Sequence, residues 1–117
     1  MDETLTKSER LSGQTAVSDL MKRGRWGTAG CLKYCYLMHD DGTLNRIMVS
    51  VPKKNFKRAV KRNLLKRRIR ESYRTQKGLL SVAGSVDVLF YYNSKDVLGS
   101  EIVRKDVAQV LSNLSAL

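Results

Sequence analysis

Apolar positions cluster along the chain in stretches whose spacing switches between helical and strand-like. Residues 15–23 place Val17, Leu20 and Met21 on one helical face, with Gly24 as a stop signal. Residues 31–38 instead carry a period of two, with Leu32, Tyr34, Tyr36 and Met38 on one side of a strand. His39-Asp40-Asp41-Gly42 supplies an Asp-Gly turn, which predicts that residues 46–51 return as the second strand of a hairpin. Pro52, the only proline, ends that strand because it offers no N–H to a ladder. A helical segment then runs to about Lys77, with Gly78 as its expected C-cap. Residues 86–92 read as a further strand. From about Ser100 a closing helix places Val103, Val107, Val110, Leu111 and Leu114 on one stripe. The predicted order is α-β-β-α-β-α around a small sheet, an α/β fold of the α+β two-layer sandwich kind. A strand, helix, strand succession also suits a crossover between parallel strands. No repeat, linker or low-complexity tract divides the chain, so residues 1–117 are expected to form one domain, with the polar residues 1–11 mobile.

Charge changes the picture more than length does. Twenty-two Lys and Arg face eleven Asp and Glu, a net charge of +11, while a hydrophobic content of 42% is ample for a core. A folded domain so unbalanced repels itself unless a polyanion is present, and nucleic acid is the usual one. An anionic membrane surface would call for an amphipathic helix rich in Trp, Phe and Leu. One Trp and two Phe do not supply it. No apolar run approaches the ~20 residues a spanning helix needs, and the acidic Met1-Asp2-Glu3-Thr4 is not the basic n-region expected of a signal peptide. Cys31 and Cys35, on one side of a strand, would lie roughly 13 Å apart, too far for a disulfide. They read as free thiols in a reducing cytoplasm.

Residues 53–77 hold twelve Lys or Arg and one acid, Glu71. A helix exposed merely for solubility alternates its charges. At 100° per residue Leu65, Ile69 and Tyr73 share a stripe suited to the core, and Asn63, Lys66, Arg67, Arg70 and Arg74 fall on an adjoining arc. Arg62 sits at the border, where its stem can be buried while its guanidinium stays wet. With Lys53, Lys54, Arg58 and Lys61, these residues form the candidate RNA-binding surface: Arg forks fit phosphate oxygens, Lys adds point charge, and Asn63 both donates and accepts. A DNA-reading helix would more usually come in a helix-turn-helix or zinc frame, and neither is legible. Tyr34 and Tyr36 either stack unpaired bases or pack the core.

At this helix the sequence resembles the protein subunit of bacterial ribonuclease P. That family carries Arg-Asn-Arg, then Lys-Arg, then Arg-Glu; here Arg62-Asn63, Lys66-Arg67 and Arg70-Glu71 match in order and spacing. Val51-Pro52-Lys53-Lys54 stands for the family's preceding Val-Ser-Lys-Lys, and Ser8-Glu9-Arg10-Leu11 and Ser72-Tyr73-Arg74 are similar too. Leu64 stands where the family's second arginine usually is. The stretch from Lys54 to Arg62 is one residue longer and lacks the usual glycine, and Val17 and Met21 occupy positions that are often Phe.

The resemblance implies a left-handed β-α-β crossover carrying the basic helix. It also implies an endoribonuclease in which the catalyst is the RNA subunit with bound Mg²⁺, and the protein contributes no catalytic residue and no metal ligand. The partners implied are the catalytic RNA and precursor tRNA, whose 5′ leader is removed to give the mature 5′ end, in the cytoplasm and without a membrane. The leader would lie between the sheet and the first helix, with Met21, Tyr34 and Tyr36 as candidates. Composition alone sets neither the oligomeric state nor the nucleotides touched. Two other readings remain: a structural rRNA-binding or ribosome-assembly protein, and a self-contained nuclease with Asp40 and Asp41 on a metal. His39, the only histidine, lies in the expected turn, and Asp-Asp-Gly is ordinary turn chemistry.

Overall fold

The stripe expected near the end of the chain is α3 (Ser100–Ser115), which buries Val103, Val107, Val110, Leu111 and Leu114. It lies beside α2 (Ala59–Arg74) on one face of a four-stranded sheet. The computed structural model describes residues 11, 14–39, 45–82 and 84–117. The remaining elements are α1 (Gln14–Arg23), β1 (Arg25–Ala29), β2 (Leu32–His39), β3 (Arg46–Ser50) and β4 (Ser85–Tyr92), with a 3-10 turn at Lys77–Leu79. The mixed α+β architecture matches expectation, with one strand more than predicted. Asp40, Asp41 and Gly42 of the expected turn, and Ser8-Glu9-Arg10, lie outside the described residues, while His39, expected in that turn, is instead the last residue of β2.

The sheet order is β1-β2-β4-β3, so the predicted pairing of β2 with β3 does not form. Instead β2 pairs antiparallel with β1 and β4, and β3 pairs parallel with β4. Burial explains the insertion. Val86, Asp87, Val88, Leu89 and Phe90 are buried in succession, which only a strand covered on both faces requires, whereas β3 alternates and suits an edge. The connection from β3 through α2 to β4 is therefore the expected crossover between parallel neighbours.

Side-chain alternation divides the sheet into two faces. Leu32, Tyr34, Ile47, Val49, Val88, Phe90 and Tyr92 face α2 and α3 in the main core. Cys35 and Leu89 face the other way, in a small cluster with Leu11 and Leu20 of the α1 side. Both cysteines are free and buried. They belong to opposite faces rather than one, because Cys31 precedes the strand in the tight β1–β2 connection. Gly30 takes φ +58 there, and a Cβ on it would collide with the Asp106 carboxylate of α3. That carboxylate accepts the Cys31 N–H at 2.9 Å. Burial first, and the neighbouring Asp106 second, push the Cys31 thiol up to about 12.

Candidate nucleic-acid interface

The N-terminal end of α2 does little to stabilise the helix. Its first turn has no acid, its N-cap Arg58 makes no side-chain cap, and cations crowd the positive end of the helix dipole. Packing holds it: Leu65 and Ile69 are 0% exposed and Tyr73 1%, with the Tyr73 ring 6.1 Å from that of Phe90. Arg62 folds back to donate from Nη1 to the carbonyls of Phe56 (2.7 Å) and Lys57 (2.9 Å), tying the helix start to the loop before it. Its guanidinium is thus part of the fold, not simply wet as the sequence suggested. At the other end, Thr75 donates from N and Oγ1 to the Glu71 carbonyl, and Gln76 Nε2 donates to Ser72 O and Arg104 O. These side chains stop the helix at Arg74. Gly78, predicted as the C-cap, sits in the 3-10 turn instead.

With the stripe inward, Asn63, Arg67 and Arg70 are exposed, and Lys66 and Arg74 are half-buried. Lys53, Lys54, Arg58 and Lys61 are exposed at the approach to the helix and in its first turn. Arg74 grips Glu71, with Nη2 2.8 Å from Oε2. That hydrogen bond is the main reason the Glu71 carboxyl is held below its ordinary range, and Arg67 adds to it. The one acid of α2 is therefore already matched, and α2 holds no second acid for its other cations.

The leader candidates part company. Tyr34 is 6% exposed on the face that α2 and α3 cover, where Asn113 Nδ2 reaches its hydroxyl at 3.3 Å. Tyr36 stacks on it with ring centroids 6.0 Å apart and is half-buried against the same core. Both therefore point away from the α1 side of the sheet. Met21 is 51% exposed on α1 itself. The sheet face toward α1 presents Leu37 and Met48, half-buried around Leu20, with Tyr91 of β4 on the same side by alternation. At one end of that face Asp87 accepts from Arg46 Nε and Nη2, both at 2.9 Å, and lies 3.0 Å from His39 Nε2.

Two groups of residues escaped sequence reasoning. Trp26, 44% exposed on β1 with Lys33 Nζ 5.5 Å from its ring centroid, was missed together with its strand. Arg68 and Arg104 lie off the predicted arc, between α2 and α3. Arg68 donates to Leu98 O, and Arg104 Nη1 donates to Thr75 Oγ1 at 2.6 Å. The positions Leu64, Arg68, Ser72 and Thr75 at i, i+4, i+8 and i+11 could have flagged this second seam.

Fold and site together define a small α+β protein with a packed, cationic helix face. The Ribonuclease P family model matches residues 5–115. The chain is 38% identical over 79 residues to a Ribonuclease P protein component of Porphyromonas gingivalis, an alignment covering 66% of this chain and 58% of that protein. Among solved structures, a Staphylococcus aureus RNase P protein mutant with defective mRNA degradation activity superposes with a TM-score of 0.78 at 22% identity, over 92% of this chain and 88% of that one. The RNase P protein from Thermotoga maritima gives 0.74 at 22% identity, over 93% and 97%. The chain belongs to the Ribonuclease P protein family.

Proposed function

We propose that the chain is the protein subunit of ribonuclease P, binding a catalytic RNA through α2 and assisting removal of the 5′ leader from precursor tRNA in the cytoplasm. The carrying observation is the division of α2 into a buried stripe and a cationic arc, in a chain of this family. A helix fixed by Leu65, Ile69 and Tyr73 gives up little entropy when it meets RNA, so its Arg and Lys groups act as preset phosphate contacts. About five such contacts give a log–log salt slope near −3.5 to −4.5.

Hydrolysis of the phosphodiester is assigned to the RNA and its Mg²⁺. Among the described residues no group of three His, Cys, Asp or Glu could hold a metal. The leader is assigned to the sheet face beside α1, with Met21, Leu37, Met48 and Tyr91 as apolar contacts for unstacked bases. Reconstitution tests the reading. The purified chain alone leaves precursor tRNA intact, and adding it to the cognate catalytic RNA at low Mg²⁺ restores 5′ processing. No stimulation in that assay sinks the proposal, and ribosomal RNA as the sole co-purifying species would favour a ribosome-assembly role.

A further inference from the structure

The seam between α2 and α3 opens into a groove of about 320 Å³, at the lower end of the range for ligand-sized clefts. Arg67 and Arg68 reach it from α2 and Arg104 from α3, beside Leu64, Thr75 and Ser100. Glu71 also lines it, but its carboxylate is already taken by Arg74. Three arginines therefore line one open space, against a single carboxylate, Glu71, that Arg74 already holds. Two of them are set in place, Arg68 on the Leu98 carbonyl and Arg104 on Thr75 Oγ1, each through one nitrogen, leaving further N–H groups for a ligand. Ser100 opens α3, whose N-terminal dipole adds positive potential, offset in part by Glu101 in the same turn. Leu64, by contrast, is an apolar gap in the cationic surface of α2, and it borders the same groove.

We infer that this groove seats a phosphodiester of the RNA backbone, with Arg104 of α3 supplying the cation that α2 lacks at Leu64. The RNA-facing surface then spans two helices. Like-charged guanidinium groups gathered around an open cleft oppose folding, and a phosphate between them turns that repulsion into bidentate attraction. The inference deepens the RNA-binding part of the proposed function and can be tested apart from processing.

The test titrates the full chain with a fluorescein-labelled RNA hairpin of mixed sequence over a range of KCl concentrations. Arg104→Gln makes the log–log slope shallower by about 0.7 to 0.9, one phosphate contact, with the melting temperature essentially kept. Arg104→Lys retains the wild-type slope, and Leu64→Arg combined with Arg104→Gln restores it. Lys105→Gln, one residue along α3 but outside the groove, serves as the charge-matched control. An unchanged slope in Arg104→Gln overturns the inference, as does an equal change in Lys105→Gln, which would make the effect one of net charge alone. If the hairpin results hold while reconstitution fails, the ribonuclease P reading falls and the groove stands.

Discussion

α2 and α3 are both 16 residues long, lie side by side on the same sheet face and each bury one apolar stripe, yet they use charge in opposite ways. α3 carries two acids and two bases, and its Asp106 is spent on the fold, holding the β1–β2 connection through Cys31 N–H. α2 carries seven Lys or Arg and one acid, and that acid is spent on Arg74. Equal anchoring with unequal charge shows that the apolar stripe, with Arg62, Arg68 and Arg74 tied to the fold, holds α2, while its exposed Lys61, Arg67 and Arg70 are surplus to that. The surface proposed to meet RNA is the part of α2 that stability does not need.

The comparison breaks most decisively at the stripes. Ile69→Ala in α2 and Leu111→Ala in α3 each remove a side chain that is 0% exposed. Each is expected to destabilise by about 2 to 5 kcal/mol, read from urea or thermal unfolding. An Ile69→Ala variant as stable as wild type, beside a damaged Leu111→Ala, would mean that α2 is held by something other than its stripe.

Gly30→Ala probes how α3 spends its acid. The residue sits at φ +58 with the Asp106 carboxylate where a Cβ would go. The left-handed backbone alone costs about 1 to 2 kcal/mol for a residue with a Cβ, and the contact with Asp106 adds to that. RNA affinity measured on the folded fraction should not move, because no cation of α2 is touched. A loss of affinity at full stability would tie the β1–β2 connection to the binding surface.

Arg62 and Arg67 separate fold from partner within α2. Arg62→Ala removes two hydrogen bonds to Phe56 and Lys57 carbonyls and is expected to cost about 1 kcal/mol of stability along with affinity. A guanidinium that merely stayed wet, as the sequence suggested, would carry no such cost. Arg67→Ala, on an exposed side chain, should flatten the salt slope and leave the melting curve alone. Matching melting curves for the two variants would show that the Arg62 contacts add nothing.

The helix stripes were legible because a period of 3.6 is local information, and both Leu65-Ile69-Tyr73 and Val103 through Leu114 are buried as the spacing required. The charged arc was legible for the same reason. What failed depended on contacts between segments distant in sequence. β1, Arg-Trp-Gly-Thr-Ala, buries only Ala29 and so carries no alternation to read. The Asp-Gly turn chemistry argued for a β2–β3 hairpin, but the run of buried residues in β4 claims the place between those strands. Alternation put Tyr34 and Tyr36 on one side, yet only the packing of α2 and α3 decides that this side is covered. The seam holding Arg68 and Arg104 exists only once two helices far apart in the chain lie together.

The smallest effect tests the matched acid of α2. Hydrogen bonding to Arg74, reinforced by charge from Arg74 and Arg67 and partly offset by desolvation, lowers the folded-state pKa of Glu71 from 4.5. A depressed folded pKa means that the carboxylate adds stability above the unfolded value and loses it as the pH falls through the folded one. Wild type should therefore exceed Glu71→Gln in stability at neutral pH by a small margin that closes as the pH drops below about 4.5. Salt should shrink the same margin, since the pair is exposed and screened. Glu71→Gln also releases Arg74 and removes a negative charge from the seam, so it should bind RNA more tightly while folding slightly less well. A variant that gained on both counts would contradict the division of α2 into a stabilising part and a binding part, because it would leave Glu71 with no role in either.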